Sequence, residues 1–392
     1  MIFRKKIFPA DARFETPAAL AWKRLRKNKL AMLGLLVILL SLGVALFAYI
    51  LNPDPSTDAN EQTPELALQQ PGFRIQLLAL QRNHHNPPGI FRQLAQGMPA
   101  DQELVPVLSW TFSGHQLQAQ VFRGTHVKPL GRTFNIQEIL GLDSATYKST
   151  SLADLQQQVK DHHLFYRRYL LGTDYLGRDL FSRLLLGTRI SLSVGCIAVI
   201  ISLLLGILLG ALAGYFGGLT DKVVMWLVNV VWSIPTILFV FALSLALGKG
   251  FWQIFLAVGL TMWVQVARLL RGQVMLLRRM EYVEAARSMG FTHFRILLRH
   301  ILPNLLGPVM VVAASNFASA ILVEAGLSFI GIGVQPPTPS WGTMIKENYG
   351  FLMGHNAMLA LAPGLAIMLL VLAFNLVGNG LRDALDVKMG NG

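Results

Sequence analysis

Six long apolar stretches punctuate the chain, at residues 31–51, 190–216, 223–247, 251–267, 305–323 and 357–377. The first two carry no charge, the third contains Pro235, and the last contains Pro363. The fourth is bounded by Lys249 and Arg268, and the fifth runs up to Glu324. A helix needs about 20 apolar residues to cross a ~30 Å hydrocarbon core, so the pattern predicts an all-α polytopic membrane protein with six transmembrane helices. Gly206, Gly210 and Gly214 recur every four residues in the second stretch. That spacing predicts a smooth face on which another helix packs closely.

The intervals between the stretches differ in kind. Residues 52–170 are hydrophilic and carry ten Lys and Arg against ten Asp and Glu. Gln116-Leu-Gln-Ala-Gln-Val-Phe122 alternates as a strand does, within a strand-like region 105–127. Residues 151–163 read as a helix, so this insert between helices 1 and 2 is expected to be a small α+β unit. Its paired histidines, His84-His85 and His162-His163, are adjacent and share no helix face, which argues against a metal site. The expected division is 1–51 (N-terminal segment and first span), 52–170 (extracytoplasmic insert) and 171–392 (core with spans 2–6). The core includes a cytoplasmic loop at 268–303.

Charge gives the orientation. The chain has 392 residues, 53% hydrophobic and 14% charged, with a formal net charge of +13. In a soluble protein that charge would suggest nucleic acid, but no basic groove interleaved with aromatics occurs here. The excess sits at span ends instead. Residues 1–30 hold nine Lys and Arg against Asp11 and Glu15. The interval 268–299 holds Arg268, Arg271, Arg278, Arg279, Arg287, Arg295 and Arg299 against Glu281 and Glu284. Positive charge marks the cytoplasmic side, and counting six spans from a cytoplasmic N-terminus puts 268–299 and the C-terminus inside as well. The first apolar stretch exceeds a signal-peptide h-region and leads into Asn52-Pro53-Asp54-Pro55, so it is read as a retained anchor. Cys196, alone in its apolar run, is expected to be a small packing residue.

Three motifs carry further information. In the basic interval, Tyr282, Val283, Ala286 and Met289 recur at helical spacing. Gly290 interrupts, and Phe294, Leu297, Leu298 and Ile301 begin a second helix that Thr292 is placed to cap. Glu284-Ala-Ala-Arg-Ser-Met-Gly290 followed by Pro303-Asn304 resembles the EAA loop of bacterial ABC importer permeases. Leu171-Gly-Thr-Asp-Tyr-Leu-Gly-Arg-Asp-Leu-Phe-Ser-Arg-Leu-Leu-Leu-Gly-Thr-Arg-Ile-Ser191 is similar to the segment before the second span in oligopeptide and dipeptide permeases. Leu327-Ser-Phe-Ile-Gly-Ile-Gly-Val-Gln-Pro-Pro-Thr-Pro-Ser-Trp-Gly342 resembles their external loop before the last span. The likeness covers roughly 171–388 and the N-terminal anchor, and is nearest to the C-type subunit of peptide and nickel importers. Typical members have a much shorter connection where this chain has residues 52–170.

The resemblance implies the type I ABC importer permease fold, in the bacterial inner membrane, with both termini cytoplasmic. The short helix at Glu284, Ala285 and Ala286 would be the coupling helix, seated in a cleft of a cytoplasmic ATPase. Gly290 would turn the chain, with Pro303 and Asn304 leading into the next span. The partners implied are a second homologous permease subunit, two ATPase subunits, an extracytoplasmic solute-binding protein and membrane lipid. The chain has no phosphate-binding Gly-x-x-x-x-Gly-Lys-Ser/Thr loop and no hydrolase motif, so ATP and Mg would be bound by partner subunits and no catalytic residue is assigned. Asp174, Arg178, Asp179, Arg183 and Arg189 read as a local salt-bridge network shaping an external gate, to which Trp341 is also assigned, or as solvated flank charges. Glu324 is path-lining, or pairs with a basic group of another span, or is interfacial if its span ends just before it. Uptake of nickel or another non-peptide solute, a secondary transporter or channel, and a receptor or enzyme acting through 52–170 are the other readings.

Overall fold

The computed structural model describes residues 17–82, 89–99, 101–125, 127–248, 251–354 and 356–385. His84, His85 and the basic residues before Pro17 lie outside them. Among the described residues five helices are long and apolar enough to cross a membrane, or six if a bent pair counts as one span. The first span is Lys29–Leu46, starting two residues before the uncharged run because the Asn28 side chain accepts from the Ala31 N–H at 3.1 Å and caps it. The second, Leu180–Phe216, begins ten residues before the apolar stretch. At ~1.5 Å per residue its 37 residues are nearly twice as long as a ~30 Å core, so the Leu180 end projects beyond it.

The third span is not one helix. Gly218–Trp232 and Thr236–Leu247 meet at 92°, where Pro235 supplies no backbone donor and starts the second piece. The fourth, Phe251–Leu277, continues through the first part of the basic interval, so that interval is partly span rather than loop. It packs along the second span through the glycine stripe. A Cβ on Gly210 would lie 2.5 Å from the Ala267 carbonyl oxygen, and one on Gly214 would lie 2.7 Å from that of Arg271. Close backbone approach is therefore what the stripe provides. The fifth span is Leu306–Ile330 and the sixth Met358–Leu385, with Pro363 inside the latter. Cys196 is exposed on the second span, contrary to the packing role expected of it, because it lies off the faces that meet other helices.

Residues 73–169 carry a five-stranded antiparallel sheet, ordered β4-β3-β2-β1-β5. The strands are β1 (Phe73–Gln81), β2 (Gln102–Ser113), β3 (Gln116–Val121), β4 (Leu130–Asn135) and β5 (Leu164–Tyr169). β1 is buried on both faces. Leu78 and Leu80 join Leu117, Phe134, Ile139 and Leu155 on one side. Ile75, Leu77 and Ala79 join Leu66, Phe122 and Tyr169 on the other. The helix expected at 151–163 is Leu152–Gln158, prolonged by a π-turn, and His163 Nδ1 donates to the Ala79 carbonyl at 2.7 Å. The insert is tied to the span ends. Gln69 N donates to Thr173 Oγ1 at 2.9 Å, and Asn356 Nδ2 donates to the Leu68 carbonyl at 3.2 Å.

Candidate functional sites

The basic interval folds into a two-faced element. The helix Glu281–Ser288 ends in a Schellman turn: the Phe291 N–H bonds the Ala286 carbonyl at 3.2 Å, and the Gly290 N–H bonds that of Arg287 at 3.0 Å. This motif needs a left-handed residue, and Gly290 has φ +80° with nothing within 4 Å of a would-be Cβ. Val283 and Ala286 point inward. They pack with Leu270 and Val274 of the fourth span and with Ile296, Leu297, Ile301 and Leu305 on the way to the fifth. Glu284 and Ala285 point outward, as do Tyr282 and Met289, which are 41% and 65% exposed.

The pair Ala285 and Ala286 is thus split. Only Ala285 belongs to the exposed face, and the small side chain of Ala286 serves this chain's own packing. Thr292 stands at the N-cap of the next helix, His293–Ile296, but its hydroxyl makes no capping bond. Phe294 and Leu298 are exposed, because the helix passes into a π-turn at Leu297–Ile301 and then a 3-10 turn containing Pro303. Asn304 closes the element. Its Nδ2 donates to the His300 carbonyl at 2.7 Å and to Tyr282 Oη at 3.3 Å, joining the surface helix to the entry of the fifth span.

A second cluster lies where the insert meets the spans. Arg178 Nε is 2.6 Å from Asp174 Oδ2, and Arg178 Nη2 is 2.8 Å from Glu347 Oε2. Arg183 Nη2 reaches the same Glu347 oxygen at 3.2 Å. Both arginines and Asp174 are buried. Glu347 comes from the helix Trp341–Asn348, and nothing in the sequence connects it to this network. Asp179 and Arg189 stand apart. Asp179 Oδ2 caps the second span through the Ser182 N–H at 3.1 Å and also meets the Ser182 hydroxyl. Burial pushes its carboxyl up from the ordinary range, against the Ser182 hydrogen bonds. Arg189 Nη1 donates to the Leu94 carbonyl at 2.8 Å. Beside the cluster Arg167 pairs with Glu61 at 2.6 Å, and burial raises the Glu61 pKa while Arg167 opposes the rise.

Trp341 Nε1 donates to the Leu184 carbonyl at 3.1 Å, and its ring occupies the space left by Gly187. Glu324 does not flank its span. The helix continues to Ile330, and Glu324 is fully buried within it. Ser328 Oγ donates to Glu324 Oε1 at 2.6 Å and accepts from Val334 N at 3.1 Å, so its partner is a neighbouring hydroxyl. Among the described residues no cation pairs with it, and its second oxygen has no partner.

Residues 206–391 match the family model described as binding-protein-dependent transport system inner membrane component. Residues 16–71 match that of the N-terminal TM domain of oligopeptide transport permease C. The chain is similar to the glutathione transport system permease protein GsiD of Pectobacterium atrosepticum, 43% identical over 219 residues, or 56% of this chain and 72% of that protein. It is also similar to the oligopeptide transport system permease protein OppC of Bacillus subtilis, 38% identical over 243 residues, or 62% of this chain and 77% of that one. Among solved structures it resembles the MetNI methionine ABC transporter in an inward-facing conformation, at 19% identity and a TM-score of 0.42, over 52% of this chain and 97% of that one. The five-stranded sheet falls between the two stretches matched by family models.

Proposed function

The chain belongs to the binding-protein-dependent transport system inner membrane components, the permease subunits of ABC importers, and on that premise we propose that its helix Glu281–Ser288 is the seat of a cytoplasmic ATPase. As a permease it is a multi-pass, non-catalytic subunit of an ATP-driven complex in the inner membrane, and works with ATPase, binding-protein and second-permease partners. The finer assignments are ours. The partner permease is a different homologous chain, two ATPase subunits sit inside with both termini of this chain, and the solute is a peptide or a peptide-like molecule.

One observation supports the coupling role above the others: the surface helix has an outward face exposed at Glu284, Ala285 and Met289 and an inward face shared by two spans. Val283 and Ala286 lock it to the fourth span, while Asn304 and the Ile296–Leu305 contacts lock it to the fifth. A displacement imposed on Glu284 and Ala285 therefore moves both spans as one packed body, as rocking access requires. On the other side, residues 327–342 and the insert would receive the binding protein. Asp174, Arg178 and Glu347 hold that outer surface rigid, with Trp341 beside them.

Gly290→Val tests the coupling. Forcing a β-branched residue to φ +80° costs at least ~1–2 kcal/mol and has no clash to add to it, so the damage is confined to the turn. In an assembled complex the variant should keep ATP hydrolysis and lose uptake by roughly ten-fold or more. Wild-type uptake by the assembled variant would overturn the assignment.

A further inference from the structure

We propose that the second span is a lever that carries the ATPase stroke to the insert, and that Tyr215 and His293 are the positioning residues that engage it. The inference rests on the coupling role proposed for the helix Glu281–Ser288. Leu180–Phe216 runs unbroken for 37 residues, about 55 Å at ~1.5 Å per residue, and holds no proline. One end is gripped by the surface element. Tyr215 is buried in the same core as Val283, Ala286 and Ile296. Its Oη lies 2.9 Å from His293 Nδ1, and the two rings meet near edge-to-face at 5.7 Å. His293 begins the short helix that follows Gly290. The backbone at this end is held as well, since Arg278 Nη1 donates to the Tyr215 carbonyl at 2.6 Å. Just beyond it, Arg271 Nη2 donates to Asp221 Oδ2 at 2.7 Å, fixing the turn into the third span.

The other end is gripped by the insert and the loop before the last span. Asp54 N donates to Ser182 Oγ at 3.2 Å, and Arg189 Nη1 donates to the Leu94 carbonyl at 2.8 Å. Arg183 Nη2 reaches Glu347 at 3.2 Å, and Trp341 Nε1 donates to the Leu184 carbonyl at 3.1 Å. Four contacts thus fall within the first three turns. Rigid helices and hydrogen-bond networks are what carry coupling between distant sites. A displacement of Glu284 moves His293 with its shared core, His293 moves Tyr215, and the stiff helix delivers the motion to the insert.

The test uses the assembled complex and its own solute-binding protein. The Kd of that protein for the complex is measured without nucleotide and with the non-hydrolysable analogue AMP-PNP, and the ratio of the two reports the coupling between the faces. In wild type the ratio should differ from one by about five-fold or more. Tyr215→Phe keeps the buried ring and removes the hydroxyl. It should bring the ratio about five-fold closer to one, the factor equivalent to ~1 kcal/mol for one hydrogen bond. His293→Phe should do the same, and the double variant should lose no more than either single one, because both act through one bond. A wild-type ratio of one, an unchanged ratio in Tyr215→Phe, or additive losses in the double variant overturn the proposal. Crosslinking from Glu284 to the ATPase separates the two readings. It should survive in Tyr215→Phe; its loss there would show that Tyr215 only holds the surface helix in place and would overturn the lever. Its absence from wild type would instead overturn the coupling role itself.

Discussion

Replacing Glu347 by Gln should destabilise the junction of the insert with the spans by about 3–5 kcal/mol, because it leaves two buried guanidinium groups with one carboxylate between them. Arg178 and Arg183 reach the same Glu347 oxygen, at 2.8 and 3.2 Å. Asp174 lies 2.6 Å from Arg178 but 4.0 Å from Arg183, so it serves the first far better than the second. At charge separations of about 4 Å and an effective dielectric near 20, each Arg–Glu attraction is about 4 kcal/mol. Desolvating the carboxylate offsets several kcal/mol of the combined attraction, which leaves the net figure above. The assay is the apparent Tm of the purified complex. At roughly 2 °C per kcal/mol the variant should melt about 6–10 °C lower. Adding Arg183→Met removes the surplus cation and should recover most of the loss, because a charge-balanced or apolar replacement costs little. A Glu347→Gln complex melting within about 1 °C of wild type would refute the reasoning, since exposed pairs alone behave that way.

Gly210→Leu should force the second and fourth spans apart, since even a Cβ would meet the Ala267 backbone; a cost of at least ~1–3 kcal/mol is expected, read as a lower Tm and loss of assembled complex in gel filtration. The raised carboxyl of Asp179 gives a pH dependence. Its folded pKa lies above the ordinary value of 3.8, so the stability it contributes is complete below that value and is lost as pH rises through the folded pKa. Asp179→Asn keeps a capping oxygen and removes the proton, so its Tm should fall less than that of wild type between about pH 4 and pH 7. Identical slopes would show that Asp179 does not carry the effect.

The spans were legible because twenty apolar residues have few other uses, and the glycine stripe announced a close helix contact. Pro235 stands in the third stretch, but the 92° angle there depends on how each piece packs and was not legible. In the insert, β3 was readable because one face is polar and the other buried. β1 was not: both of its faces are buried, so Phe73-Arg-Ile-Gln-Leu-Leu-Ala-Leu-Gln81 lacks the alternation that marks a half-buried strand. At the surface helix, period alone grouped Tyr282, Val283, Ala286 and Met289, whereas only Val283 and Ala286 are buried. The other two remain outside, and a partner would explain them better than a core does. Asp174 and Arg178 were found because they stand only four positions apart on one loop. Glu347 was missed because its bond to Arg178 spans 169 positions, and only the folded chain brings them together.

The docking of the surface helix is tested most directly by photocrosslinking. p-Benzoylphenylalanine at Glu284 or Ala285, in cells that express the whole complex, should yield an adduct of this chain with an ATPase subunit. The same probe at Phe91, which is 86% exposed on the insert, should yield none. Adducts from Phe91 to the ATPase, or none from Glu284 and Ala285 in a complex that assembles and transports, would contradict the account.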